Sequence, residues 1–212
     1  MSKVKVKKQS TFIDMTAMSD VTVLLLTFFM LTATFLPKEP VQVITPASVS
    51  ETKIPEANVM TILIDPKGRV FLNLNDPEHK EEVLKNIGKD YNLNFTKKQM
   101  DSFYNLTSIG VPIKSLVGSD GKPGFLDLTM IQQDEILKNS PGVPTDTILS
   151  ANNQLAVWVK AARNVNENLQ LAIKADQGTP YLTVKNVFST LQDLKENRYS
   201  LVTTLRGMPE GY

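Results

Sequence analysis

From residue 21 to residue 36 the chain reads VTVLLLTFFMLTATFL, without a single charge. A helix this apolar on all sides belongs either in lipid or at the centre of a large core. A span of ~30 Å of hydrocarbon needs ~20 residues, so the run alone is a little short. Extending it back to Met15 gives residues 15–36, about 33 Å of helix at ~1.5 Å per residue. That extension brings Asp20 into the apolar segment. Pro37, Lys38 and Glu39 mark its end, and Lys3, Lys5, Lys7 and Lys8 precede it. Basic residues on the leading side predict a cytoplasmic N-terminus.

Three other readings compete for the segment. A cleaved signal peptide needs a small-residue cleavage site, which TATFL supplies poorly, and two aspartates ahead of the apolar run are unusual for its positive region. A buried helix of a soluble domain is rarely so uniformly apolar. A plain membrane anchor would have no use for Asp20, because an aspartate at mid-helix costs ~2.5–3.5 kcal/mol on insertion scales. A carboxyl group kept at that cost can take a proton from one side and release it to the other. One charge crossing ~100 mV is worth ~2.3 kcal/mol. Asp20 is therefore the candidate proton carrier. Asp14 lies before the apolar run and reads as a membrane-edge residue or a helix cap.

At 100° per residue, Thr16, Asp20, Thr27 and Thr34 fall within about 40° of one another. Thr22 and Thr32 lie elsewhere. A lone helix cannot hide such a polar stripe in lipid, so partner helices from other subunits are expected along it.

Composition narrows the function of the remainder. The net charge of +1 argues against nucleic acid, which requires a clear basic excess on one face. Without cysteine and with one histidine, His79, there is no disulfide, no thiol nucleophile and little basis for a zinc site. Neither a catalytic constellation nor a phosphate-cradling loop is present in the pattern. The chain is expected to be no enzyme and to carry no cofactor and no metal.

Residues 38–57 read as a periplasmic linker with prolines at 40, 46 and 55. It is interrupted by a short β-prone stretch in which Val41 and Val43 are candidates to pair with a sheet edge, its own or a partner's. Residues 59–65 and 69–74 form a hairpin about the turn Asp65-Pro66-Lys67-Gly68. Helices are expected over 77–91, 96–104 with Thr96 as cap, and 130–138, then from Ser150 or Ala151 to Arg163. Trp158 reads as core packing and His79 as a surface residue near a helix start. Residues 169–175 form a strand. A helix follows to about Glu196, with Thr179 as cap, Pro180 at its first position and a stripe of Leu182, Val187, Leu191 and Leu194 packed on the sheet. Residues 199–205 close the sheet.

The stretch Ile13-Asp14-Met15-Thr16-Ala17-Met18-Ser19-Asp20 and the apolar run after it resemble the membrane helix of the ExbD/TolR family, which opens on Ile-Asp/Asn-x-Thr-Pro-x-x-Asp. The family's essential aspartate falls on Asp20; its usual proline falls on Ala17. The resemblance continues at residues 41–48, at the hairpin over 60–73 and at the closing strand–helix–strand over 169–205. It implies an α+β fold: one N-terminal transmembrane helix, then a small periplasmic α/β sandwich of order β-β-α-β-α-β. Its implied organisation is a cytoplasmic tail 1–13, a transmembrane helix 14–37, the linker 38–57 and a periplasmic domain 58–212, with 76–150 as a helical and loop insertion. The implied function is that of a motor subunit in the cell inner membrane. A homodimer would lodge in a ring of an ExbB/TolQ-like polytopic protein and use the proton motive force to energise a TonB-like protein. TolR-like or gliding-type stators and a passive, membrane-tethered binding protein, with peptidoglycan as ligand, stay open as alternatives.

Overall fold

The computed structural model describes residues 15–33, 41–48, 58–118, 122–146, 150 and 152–205. The chain divides into two compact units, residues 1–37 and 38–212. In the first, helix α1 (Met15–Thr32) carries the apolar run. At ~1.5 Å per residue its 18 residues extend about 27 Å. Among the described residues, no helix is long and apolar enough to cross a membrane. Part of the 15–36 span and all of Thr34 lie outside the described residues.

The second unit is α+β. Its main sheet has four strands in the order β3-β2-β4-β5. Strands β2 (Val59–Ile64) and β3 (Val70–Asn75) form an antiparallel hairpin. Strand β4 (Gln170–Ala175) runs parallel to β2, and β5 (Tyr199–Leu201) parallel to β4. Mixed sheets of this kind need long crossovers. Here the first crossover holds α2 (Lys80–Tyr91), α3 (Lys97–Asn105), α4 (Met130–Asn139) and α5 (Gln154–Val165). The second holds α6 (Tyr181–Asp193). A separate parallel ladder joins β1 (Ala47–Ser48) to β6 (Thr204–Leu205).

Local sequence sets these elements. The β2–β3 turn closes around Asp65, whose Oδ1 accepts from the backbone N–H of Lys67 (3.0 Å) and of Arg69 (2.7 Å). Gly68 takes a φ of +76° there, where a side chain would be strained. Thr96 caps α3 in a reciprocal box with Gln99, as expected. Helix α2 ends on Asn92 in the left-handed region, its apolar face being Val83, Leu84 and Ile87.

The described residues between 76 and 150 are continuous with the core. Val83, Ile87, Phe103, Ile113 and Leu126 are buried in the same cluster as Ile62, Phe71 and Ile173. Phe103 stacks on Trp158 at 5.9 Å, so the tryptophan is core packing, as its sequence context suggests. Ile109 bridges to Leu72 beside β3, and the Val143 N–H donates to the Val70 carbonyl at 2.7 Å. The outer edge of β3 is thereby covered by the segment itself.

Several expected boundaries move. Helix α5 starts at Gln154 instead of residue 150 or 151, because Asn153 turns inward to cap it, accepting from the Ala156 N–H. Pro180, not Thr179, is the N-cap of α6. The Thr179 hydroxyl is instead directed at the carbonyls of Ile64 and Asp65 (3.3 and 3.1 Å). Leu182 is 68% exposed and leaves the packed stripe, which Val187 and Leu191 carry. The closing strand is split: residues 199–201 complete the main sheet, and after the Val202 N–H donates to Ile173, residues 204–205 join β1.

Candidate functional site

Helix α1 has one ionisable side chain, Asp20. Residues 16–33 are all exposed, the apolar ones included, with Leu24 at 67%. Three of its threonines handle their own polarity. Thr22 donates to the Met18 carbonyl (2.7 Å), Thr27 to Leu24 (2.9 Å) and Thr32 to Phe28 (2.8 Å). Such back-bonding satisfies a hydroxyl without water or a neighbour. Asp20 has no hydrogen-bond partner among the described residues. Thr16, Asp20 and Thr27 occupy one side of this helix, as the 100° rotation requires; Thr34, the fourth member of the expected stripe, lies outside the described residues.

Residues 41–48 lie along the second unit. Val41 and Val43 are half-buried against its core cluster. They form no ladder; the paired strand is the two-residue β1 further on. What holds the segment is the β4–α6 turn. The Ile44 N–H donates to Asp176 Oδ2 at 2.7 Å, and the Gln177 N–H donates back to the Ile44 carbonyl at 3.0 Å. The sequence pointed to a sheet-like pairing at Val41 and Val43, whereas the anchoring atoms belong to Ile44 and an aspartate 132 residues away.

Three polar clusters inside the second unit went unread in the sequence, since each joins residues remote in the chain. Arg69 pairs with Asp65 (2.7 Å), whose side chain is 3% exposed. Arg69 also donates through Nη1 to the carbonyls of Lys138 (2.7 Å) and Ser140 (3.0 Å). That ties the first hairpin to the end of α4. Arg163 grips Glu196 with two bonds of 2.8 and 2.6 Å. Asp76 is buried and accepts from Asn166 (2.6 Å) while facing His79 Nδ1 (2.7 Å). The Asp76 carboxylate raises the His79 pKa above its ordinary value. Lys80, next in the chain, donates to the carbonyls of Tyr104 and Leu106, and burial pushes its pKa down.

A cleft of about 430 Å³ opens where β4 and β5 begin, lined among others by Glu167, Asn168, Arg198 and Tyr199. Among the described residues, no cluster of histidines and carboxylates could hold a metal ion. Helix α1 carries a single carboxylate, and the α+β unit is tied together by its own ion pairs, Asp65–Arg69 and Arg163–Glu196. The family model for biopolymer transport protein ExbD/TolR matches residues 7–206, and the chain belongs to that family. No curated protein and no solved structure shows significant similarity to it. Membership makes it a transport-associated, energy-transducing subunit of a kind that works with ExbB/TolQ-type partners.

Proposed function

We propose that this chain is the proton-carrying subunit of an ExbB–ExbD-like complex of the inner membrane, coupling the proton motive force to a TonB-like protein. Residues 15–36 cross the bilayer with the N-terminus in the cytoplasm and the second unit in the periplasm. Two copies sit within a ring of ExbB/TolQ-like subunits, whose helices cover the apolar surface of α1. Thr16, Thr27 and Thr34 line that interface, and Asp20 takes up and releases the proton. Val41 and Val43 belong to the segment that engages a partner strand.

The observation that carries this reading is the isolation of Asp20. The hydroxyls of Thr22, Thr27 and Thr32 turn to their own helix backbone, while Asp20 is left without a hydrogen-bond partner among the described residues. A buried acid without a partner is costly in lipid and is kept where it moves charge.

Asp20→Asn tests the reading in cells. The amide keeps size and polarity but cannot release a proton. Energised transport should fall to the level of a deletion strain, while the variant still co-purifies with the ring protein. Normal transport by the Asn variant would leave the passive, membrane-tethered binding protein as the better description.

A further inference from the structure

We propose that Asp76, His79 and Asn166 form a proton-strengthened latch that sets how firmly the α5–β4 corner is closed. The three residues come from two places: Asp76 and His79 from the β3–α2 turn, Asn166 from the end of α5, 90 residues on. The Asp76 side chain is 2% exposed, and its two oxygens are divided between the partners, Oδ1 on His79 Nδ1 at 2.7 Å and Oδ2 on Asn166 Nδ2 at 2.6 Å. Asn166 in turn organises the corner. Its Oδ1 accepts from the Asn168 N–H (3.0 Å) and its carbonyl from the Leu169 N–H (3.2 Å). Glu167, Asn168 and Leu169 then line the cleft where β4 and β5 begin.

A buried carboxylate needs compensation, and the quality of that compensation depends on the imidazole. When His79 is protonated, Asp76 meets an opposite charge, and the attraction of the ion pair adds to the hydrogen bond. When it is neutral, dipoles alone compensate the carboxylate. Opening the corner so that water reaches Asp76 then becomes easier. The charged groups acting on the imidazole are Asp76, Glu78 and Glu82, all acidic and all in its own segment. The α5–β4 corner meets the cluster with the uncharged Asn166, and Lys80 is turned to the carbonyls of Tyr104 and Leu106. All the charges facing His79 therefore favour its cationic form.

The sign follows from linkage. A histidine whose folded-state pKa lies above its unfolded value of ~6.5 stabilises the closed form fully below that value and loses the contribution as pH rises through the folded pKa. The corner should be tight in mild acid and looser in mild alkali.

His79 is the only histidine, so an untagged chain reports on it cleanly. The test is hydrogen exchange of the full-length protein in detergent micelles across the histidine titration, each rate divided by the unstructured-peptide rate at the same pH. The Asn168 and Leu169 amides should be several-fold better protected below the midpoint than above it, and His79→Gln should flatten that dependence. The imidazole resonances should titrate above 6.5 and move down in Asp76→Asn. Because Asp76 is buried and its variant can fail to fold, the partly exposed His79 carries the decision. Protection that ignores pH, or a pH dependence that survives in His79→Gln, overturns the proposal.

Discussion

Helix α1 is almost uniformly apolar and the helices of residues 80–139 are amphipathic, and the two treat their polar groups in opposite ways. Helix α1 keeps its hydroxyl bonds within one turn and presents Leu24, Phe28 and Met30 outward. In the second unit polar groups reach across the chain: Lys80 to Leu106, Gln99 to Asp127 at 2.9 Å, Gln133 to Ser102 at 3.0 Å. Apolar groups such as Val83, Ile87, Phe103 and Leu126 enter a shared core there. The first helix satisfies the hydroxyls of Thr22, Thr27 and Thr32 internally and leaves both Asp20 and its apolar surface without partners among the described residues. The second unit joins its polar groups across the chain and buries a large core, while Trp158 Nε1 stays buried without a partner among the described residues and Ile131, Tyr181 and Leu182 stay exposed. Changes in α1 should therefore alter function with little effect on the stability of the domain, and changes at residues 76–150 should do the reverse.

Phe103→Ala probes that contrast most severely. The ring is 2% exposed and stacked on Trp158, and phenylalanine-to-alanine changes in a core cost about 3–5 kcal/mol. Denaturant unfolding of the full chain, followed by fluorescence of its one tryptophan, should show a loss of that size. A loss below about 1 kcal/mol would mean that residues 76–150 are an appendage and not part of the core. Arg69→Met should cost less, about 3 kcal/mol, near the low end for breaking a buried pair. Asp65 would keep the two backbone N–H donors of Lys67 and Arg69. The same unfolding measurement applies, and Asp65→Asn in the Arg69→Met background should recover part of the loss by removing the unpaired charge.

The parts legible in the sequence were those decided within a few residues. The hairpin about Asp65 and Gly68, the Thr96 cap and the single acid of α1 all follow from local chemistry. What escaped was decided at a distance. Thr179 has the chemistry of a cap, but the carbonyls of Ile64 and Asp65 claim its hydroxyl. Residues 199–205 are uniformly β-prone, yet Val202 is taken by Ile173 and the strand divides. Each helix of residues 76–150 is readable as amphipathic, while the fact that their faces meet Phe71 and Trp158 is written in no local pattern. At the candidate site, Asp20 was evident from the cost of an acid in an apolar run. The Asp76–His79–Asn166 cluster was not, since 90 residues separate two of its members.

The central claim is that the Asp20 carboxyl carries protons through the membrane complex. Its most direct measurement is proton flux into liposomes that hold the chain together with its ring partner, under an imposed potential and with a pH-sensitive dye inside. The wild-type complex should acidify the interior, and the Asp20→Asn complex, present in equal amount, should leave the dye unchanged. Equal acidification by the two complexes would contradict the account.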